Sequence, residues 1–278
     1  MTDRLSAILD RFELRARVFH SGHLCGAVDF DGADHSGHLH ILRSGTLHID
    51  QPGSAAIELD QPTLLFYAGS TPHQLRTDPG ESVDLLCATV DFGTGALNPL
   101  LASLPTLLQI PLSHSSMLSK TLELLFDEAF AQHCGRQLAL NRLTELLMLQ
   151  LFRHVMEQRL VESGSLAGLA DPRLAKALVA MHAQPQAPWS LERLAGEAGM
   201  SRARFAAHFH QTVGMTPGEY LGSWRLAVAK SLLRQGKSVK LVAFDVGYAT
   251  ASALARAFHE RFGLSPTAWL ASDQPASS

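Results

Sequence analysis

The sequence predicts an α+β chain of two domains: an antiparallel β-barrel with packing helices, then an all-α domain carrying two helix-turn-helix motifs. Three observations predict it. Short β-type runs punctuated by turn residues fill the chain up to about residue 112. Helical periodicity takes over from Leu118, and near the C-terminus one pattern is written twice, 48 to 49 residues apart. The 278 residues exceed one typical domain, and 46% hydrophobic content is ample for sizeable cores.

Candidate strands are Leu24 to Asp29, His38 to Leu42, Thr46 to Asp50, Ala55 to Leu59, Thr63 to Tyr67, His73 to Arg76 and Val83 to Phe92. Asp-Gly, Ser-Gly, Gln-Pro-Gly and Asp-Pro-Gly signals separate them. Strands this short, in succession, favour a small antiparallel barrel. Within the segment 116–161, Leu118 to Gln132 and Leu138 to Arg159 have helical spacing, and Leu140, Leu143, Leu147, Leu151 and Val155 make an apolar stripe. The stripe suits core packing against the barrel or a dimer seam. The first domain is therefore placed at 1–161.

Residues 162–171, rich in Gly and Ser, read as a linker ending in an Asp171 N-cap and Pro172. The second domain is placed at 172–271, with 272–278 as a disordered tail. Its first helix, Pro172 to His182, presents Leu174, Leu178 and Met181; Pro185 and Pro188 then break the chain before the N-cap Ser190.

The repeat follows. In 191–212, Leu191, Leu194, Ala195 and Ala198 form one apolar face, Gly199 permits a tight turn, and Phe205 and Phe209 lie four apart on the next helix. In 239–262, Val239, Val242, Ala243, Val246, Gly247, Leu254 and Phe258 repeat the scheme. The spacing holds the second helix of each pair proud of the surface. Between the copies a long helix is expected from Pro217 to about Arg234, stopped by Gly236.

Charge divides the chain in the same place. Residues 172 to 278 hold 12 Lys+Arg against 6 Asp+Glu, whereas residues 1 to 171 hold 11 against 20. A basic C-terminal segment can neutralise phosphates. The first 20 residues lack the apolar stretch of a secretory leader, and no run approaches the ~20 apolar residues of a membrane span. Three cysteines do not make a secreted disulfide framework. A cytoplasmic protein is expected.

The C-terminal hundred or so residues closely resemble the DNA-binding domain of AraC/XylS-type transcription regulators. The resemblance rests on Ala-Gly-Met-Ser-Arg (198 to 202), Val-Gly-Met-Thr-Pro (213 to 217), Trp224-Arg225-Leu226, Val246-Gly247-Tyr248, Arg256-Ala-Phe258 and Phe262-Gly-Leu-Ser-Pro266. It implies two motifs that read successive major-groove segments of promoter DNA. The family's base-reading positions fall on Ala203, Ala206 and Ala207 in the first recognition helix, and on Ser252, Ala255 and Arg256 in the second. Alanines can offer only methyl contact to thymine, whereas Arg256 can bond guanine bidentately. Ser201, Arg202, Arg204, His208, Lys240 and Thr250 are the candidates for the DNA backbone.

The N-terminal part resembles the cupin-type effector domain of such regulators, in His38-Leu-His40 with Arg-Ser-Gly45 and in Leu64 to Gly69 with Thr-Pro-His73. Metal-binding cupins use an HxH pair, a glutamate a few residues on and a later histidine. Here Arg43 and Ser44 occupy the glutamate's place. His38, His40, His73 and Cys87 remain candidates for an effector pocket or a zinc or copper site. For Cys25 and Cys87 three readings stand: small buried hydrophobes, a redox-responsive pair, or metal ligands.

The resemblance thus implies a sequence-specific regulator, more often an activator in the family, responding to a small-molecule, metal or redox signal. Its partners would be promoter DNA, a second copy of itself and, for an activator, RNA polymerase, with no membrane. The rival is a cupin metalloenzyme with a helical appendage. A third reading is a charge-driven nucleic-acid binder without sequence choice.

Overall fold

The computed structural model describes residues 3–12, 14–32, 36–69, 71–93, 98–114 and 116–273. The chain forms two compact units, one of Leu14–Ala96 and Leu100–Val161, the other of Met1–Glu13, Leu97–Pro99 and Glu162–Ser278.

Among the described residues the first unit holds nine strands: β1 (Arg15–Leu24), β2 (Ala27–Phe30), β3 (Gly37–Ser44), β4 (Leu47–Asp50), β5 (Ile57–Leu59), β6 (Thr63–Tyr67), β7 (His73–Arg76), β8 (Val83–Asp91) and β9 (Leu107–Pro111). They make two antiparallel sheets, ordered β1-β8-β3-β6-β9 and β2-β7-β4-β5. Both sheets contribute to one apolar core, with Leu42, Leu65 and Leu85 from the first and Leu47, Ile49 and Leu75 from the second. The expected strand at Leu24 to Asp29 proves to be the end of one strand and most of another, broken at Gly26, whose φ is +90°. The alternating Arg and His of β1 and the terminal proline of β9 hid both strands from the periodicity.

Two helices, α2 (Ser116–Phe130) and α3 (Arg136–Glu157), complete this unit; α1 belongs to the other. Leu140, Leu147, Leu151 and Val155 are buried to 0% exposure and Leu143 is half-buried, so four of the five stripe residues are core. Another face of α3 completes the open edge of β1. Gln137 Nε2 donates to the Val18 carbonyl at 2.7 Å, Asn141 Oδ1 accepts from the Val18 amide at 2.9 Å, and Glu145 Oε1 accepts from the Ala16 amide at 3.3 Å. Residues four apart on a helix share a face, so these three side chains stand in for a missing neighbour strand.

The second unit is all-helical: α1 (Ser6–Leu9), α4 (Ser165–Ala170), α5 (Leu174–Ala183), α6 (Leu191–Glu197), α7 (Arg202–Val213), α8 (Pro217–Arg234), α9 (Val239–Asp245), α10 (Ala251–Phe262) and α11 (Pro266–Asp273). The long helix has the expected bounds, with Pro217 in its first turn and a capping box between Thr216 and Glu219. Three expectations change. The segment 162–171 contains α4, whose Leu166 and Leu169 are fully buried; the Gly/Ser composition masked an apolar pair. The tail from 272 begins inside α11, and residues 274–278 lie outside the described residues.

The third correction concerns the N-terminus, which was expected in the barrel domain. Leu5, Ile8 and Phe12 are at most 4% exposed. Phe12 meets Trp224 of α8 edge-on at 5.3 Å, and Ser231 Oγ donates to the Arg11 carbonyl at 3.1 Å. Arg4 donates to the last carbonyls of α4, at 2.9 Å to Leu169, and Arg11 donates to the Ala183 carbonyl ending α5 at 3.1 Å. Guanidinium groups thus satisfy carbonyls that a helix end leaves open.

Beside Trp224, His182 is fully buried and its Nε2 lies 2.6 Å from the Tyr220 hydroxyl. Burial lowers its pKa to about 3. All three tryptophans lie in this unit, so their fluorescence reports on it alone. Phe12→Ala is expected to lower its stability by about 3 kcal/mol in urea unfolding followed by tryptophan emission. A second expectation is pH dependence. The unfolded His182 takes up its proton near 6.5 and the folded one near 3, so the stability contributed by the neutral ring is complete above pH 6.5 and is lost as pH falls. Between pH 7 and 5 the wild type should lose about 2 kcal/mol more than His182→Leu.

Candidate DNA interface and barrel centre

In the helical unit the two copies of the repeat close their first helices with the same pair of backbone hydrogen bonds. At the end of α6 the Gly199 amide donates to the Gly196 carbonyl at 3.0 Å and the Met200 amide to the Ala195 carbonyl at 2.9 Å. At the end of α9 the Gly247 amide donates to the Phe244 carbonyl at 3.1 Å and the Tyr248 amide to the Ala243 carbonyl at 2.8 Å. Both are Schellman closures with a left-handed glycine, φ +61° at Gly199 and +86° at Gly247. They direct the chain into α7 and α10. Phe205 and Phe209 of α7, and Leu254 and Phe258 of α10, are fully buried and pin each helix from behind.

The opposite faces are open. Ala203, Ala207, Ser252 and Arg256 are exposed, and Ala206 and Ala255 are half-buried. Arg256 is in no ion pair among the described residues. Ser201, Arg204 and Lys240 are also exposed. The other backbone candidates have partners within the protein. Thr250 Oγ1 caps α10 by accepting from the Ala253 amide at 3.1 Å. Arg202 pairs with Glu192 at 2.8 Å, both exposed and so weakly held. His208 Nε2 lies 2.8 Å from Asp171 Oδ2. Asp171 Oδ1 also accepts from the Arg173 and Leu174 amides, and its pKa is lowered by the Leu174 amide and His208 despite partial burial. His208 therefore ties α7 to the start of α5. Sequence spacing carried no sign of this link, 37 residues long.

Arg225 organises the second motif. Its Nε donates to the Pro185 carbonyl at 2.8 Å and its Nη2 to the Ala187 carbonyl at 3.1 Å. Gly247 is packed against it: a Cβ there would lie 2.8 Å from Arg225 Nη2 and 2.9 Å from Gln186 Cα, whereas a Cβ on Gly199 would meet nothing within 4 Å.

The barrel gathers the other candidates. His40 on β3 pairs in register with Cys87 on β8, and His73 enters from the second sheet. His40 is fully buried, and His38, His73 and Cys87 nearly so. His40 Nδ1 lies 3.1 Å from Cys87 Sγ and His40 Nε2 lies 2.9 Å from His73 Nε2. His73 Nδ1 lies 2.7 Å from the Thr71 carbonyl oxygen. The His73 ring is stacked between Tyr67, at 4.0 Å, and Phe30, at 4.6 Å; sequence reading had assigned neither aromatic to the site. Burial lowers the His73 pKa to about 4, holds His40 well below its usual value and pushes the Cys87 thiol up.

Cys25 does not join this cluster. It is exposed and follows Leu24, the register partner of Val83, four residues along β8 from Cys87. Four residues of strand span about 13 Å, beyond the reach of a disulfide without rearrangement. The expected glutamate position is likewise turned outward: Arg43 lies over the rings of Phe126 and Phe130 of α2, and Ser44 Oγ donates to Asp84.

Residues 3–157 match the cupin family and residues 194–272 a helix-turn-helix domain family. A putative AraC-like transcription regulator of Streptomyces lividans is 34% identical over 248 residues, covering 86% of this chain and 81% of its own. An uncharacterised HTH-type transcriptional regulator of Haemophilus influenzae is 35% identical over 217 residues, 77% of this chain and 71% of that one. The chain belongs to the AraC-type family of transcription regulators. The RCS-specific transcriptional activator RclR of Escherichia coli is 29% identical over 232 residues, 82% of this chain and 81% of its own. These relatives are transcription regulators, and this AraC-type protein is a DNA-binding transcription regulator. No helix among the described residues is long and apolar enough to cross a membrane.

The two glycine turns of the AraC-type unit respond differently to a methyl group. Gly199→Ala is expected to cost about 1 to 2 kcal/mol, the price of a left-handed backbone alone. Gly247→Ala adds the clash with Arg225 and should cost clearly more, in the same urea experiment.

Proposed function

We propose that this protein is a cytoplasmic transcription activator that binds its own upstream promoter as a homodimer and engages RNA polymerase when the barrel receives its signal. The observation that carries the DNA reading is the matched pair of outward helices, α7 and α10, each pinned by buried residues behind an open face. The alanine face of α7 permits close approach and methyl contact with thymine, and Arg256 of α10 reads guanine. Ser201, Arg204 and Lys240 hold the phosphates. Activation is supported by the name of the Escherichia coli relative. A dimer surface is supported on the outer side of the helical pair, where Leu124, Leu138 and Leu146 are 57%, 62% and 42% exposed.

The signal must favour one arrangement of the protein over another, since equal affinity for both shifts nothing. The buried rings at the barrel centre pack against one another and form a continuous polar chain, which favours a small inorganic signal over a bulky organic one.

The test is binding of the full-length protein to its upstream DNA and to scrambled DNA at physiological salt. Selective binding is expected, and equal affinity for both would overturn the base-reading assignment in favour of a charge-driven binder. Arg256→Ala should lose about 1 to 3 kcal/mol at a single base pair. Equal weakening on every sequence would make Arg256 a phosphate contact instead.

A further inference from the structure

Along the first half of β1 lies a cleft of about 580 Å³, and none of the four barrel-centre candidates lines it. We propose that it binds an organic monoanion, a carboxylate on a planar apolar body, with Arg17 and Asn141 holding the head group and Phe19 the body. The proposal goes beyond the reading of the barrel centre as the signal receiver. The centre is packed, whereas the cleft has the volume of a small-molecule site.

The strand itself builds one wall. Arg15, Arg17 and Phe19 are exposed and alternate with buried Ala16 and Val18. A bulge then interrupts the ladder: Val18 stands opposite Ala88 and His20 opposite Cys87, so Phe19 is the extra residue, without a partner on β8. Bulges re-aim side chains. Phe19 is 47% exposed, with its ring 6.0 Å from that of Phe30, and offers an aromatic face beside the guanidinium groups.

Charge decides the head group. Two arginines, Arg15 and Arg17, share the cleft with one carboxylate, Asp91, which leaves a balance of +1. Asp91 stands opposite Arg15 in the register, and its Oδ1 accepts from the Gly93 amide at 2.9 Å. Arg17 stands opposite Thr89 and is in no ion pair among the described residues. The unbalanced charge therefore sits at Arg17 and matches one negative charge rather than two. A guanidinium fork meets a carboxylate with two parallel hydrogen bonds.

Helix α3 fixes a second donor. The Val18 amide can only donate, so the Asn141 atom 2.9 Å from it is Oδ1, which also accepts from Gln137 Nε2 at 3.1 Å. That orients the Asn141 amide and leaves its Nδ2, with no acceptor among the described residues, to the cleft. A carboxylate held by Arg17 and Asn141 bridges β1 and α3, across the seam where helix side chains already replace a neighbour strand. Binding tightens that seam.

The experiment is calorimetric titration of the full-length protein with benzoate, phenyl phosphate, benzylamine and acetate, without DNA, paired with amide hydrogen exchange. One benzoate per chain is expected. Its affinity should fall roughly 10- to 100-fold in Arg17→Gln, the worth of a hydrogen bond to a charged group, and less in Arg17→Lys, which keeps the charge without the fork. Phe19→Ala should weaken benzoate and leave acetate unchanged. Phenyl phosphate and benzylamine should bind more weakly than benzoate, and exchange at the Val18 amide should slow on loading. Both substituted residues are exposed, so the variants keep the packing of the strand. Wild-type protein that binds no benzoate would overturn the site, as would equal affinity in wild type, Arg17→Gln and Phe19→Ala. Benzylamine or phenyl phosphate held as tightly as benzoate would overturn the monoanion, and acetate held as tightly would overturn the planar body. Unchanged exchange at Val18 would overturn the bridge. The titration contains no DNA, so its failure is distinguishable from failure of the DNA reading.

Discussion

The outward faces of α7 and α10, proposed to meet DNA, depend on a backbone that turns through left-handed space at residues 199 and 247. An L side chain resists that conformation, and glycine enters it freely. Each turn satisfies carbonyls that its preceding helix leaves open and starts the next helix at a set angle, so that buried residues behind α7 and α10 fix which faces point outward. The two turns are equivalent in hydrogen bonding and unequal in packing. Gly199 stands in open space, while Gly247 lies against Arg225, whose guanidinium also holds the carbonyls of Pro185 and Ala187. The second motif is therefore anchored to the first part of the unit through one arginine, and the first is anchored through His208 and Asp171.

The barrel works under the opposite constraint. Its polar groups are buried, and each must find a partner or lose its hydration without return. The chain from Cys87 to Thr71 answers that demand with neutral groups, because burial disfavours the charged form of both linked histidines. A neutral, ordered, stacked set of imidazoles is costly to maintain for packing alone, since leucines would fill the space with no polar atoms to satisfy.

Most of the helical unit was legible in order and extent. The repeat offset, the glycines and the proline at 217 are local signals, and α8 begins and ends where they place it. In the barrel seven strands were legible from turn chemistry, but β1 was not, because its outward arginines and histidines obscure the alternation and its edge is completed by side chains from α3. The N-terminal segment was misassigned for a related reason: Leu5, Ile8 and Phe12 show a helical spacing but not which core receives it. Of the candidate site, His40, His73 and Cys87 were legible as interior positions. Their mutual contacts were not, nor was the clamp of Phe30 and Tyr67 around His73.

The sequence by itself determined the elements whose causes lie within a few residues: caps, left-handed turns, helical stripes, and the family signature those features compose. Only the tertiary structure decided which groups meet across long separations, as when His208 reaches Asp171, Phe12 reaches Trp224 and Cys87 is placed beyond the reach of Cys25. The physical reason is that a cap or turn depends on φ, ψ and neighbouring amides, whereas a contact between distant residues depends on strand register and on which apolar face finds which core. Spacing along the chain does not encode those pairings.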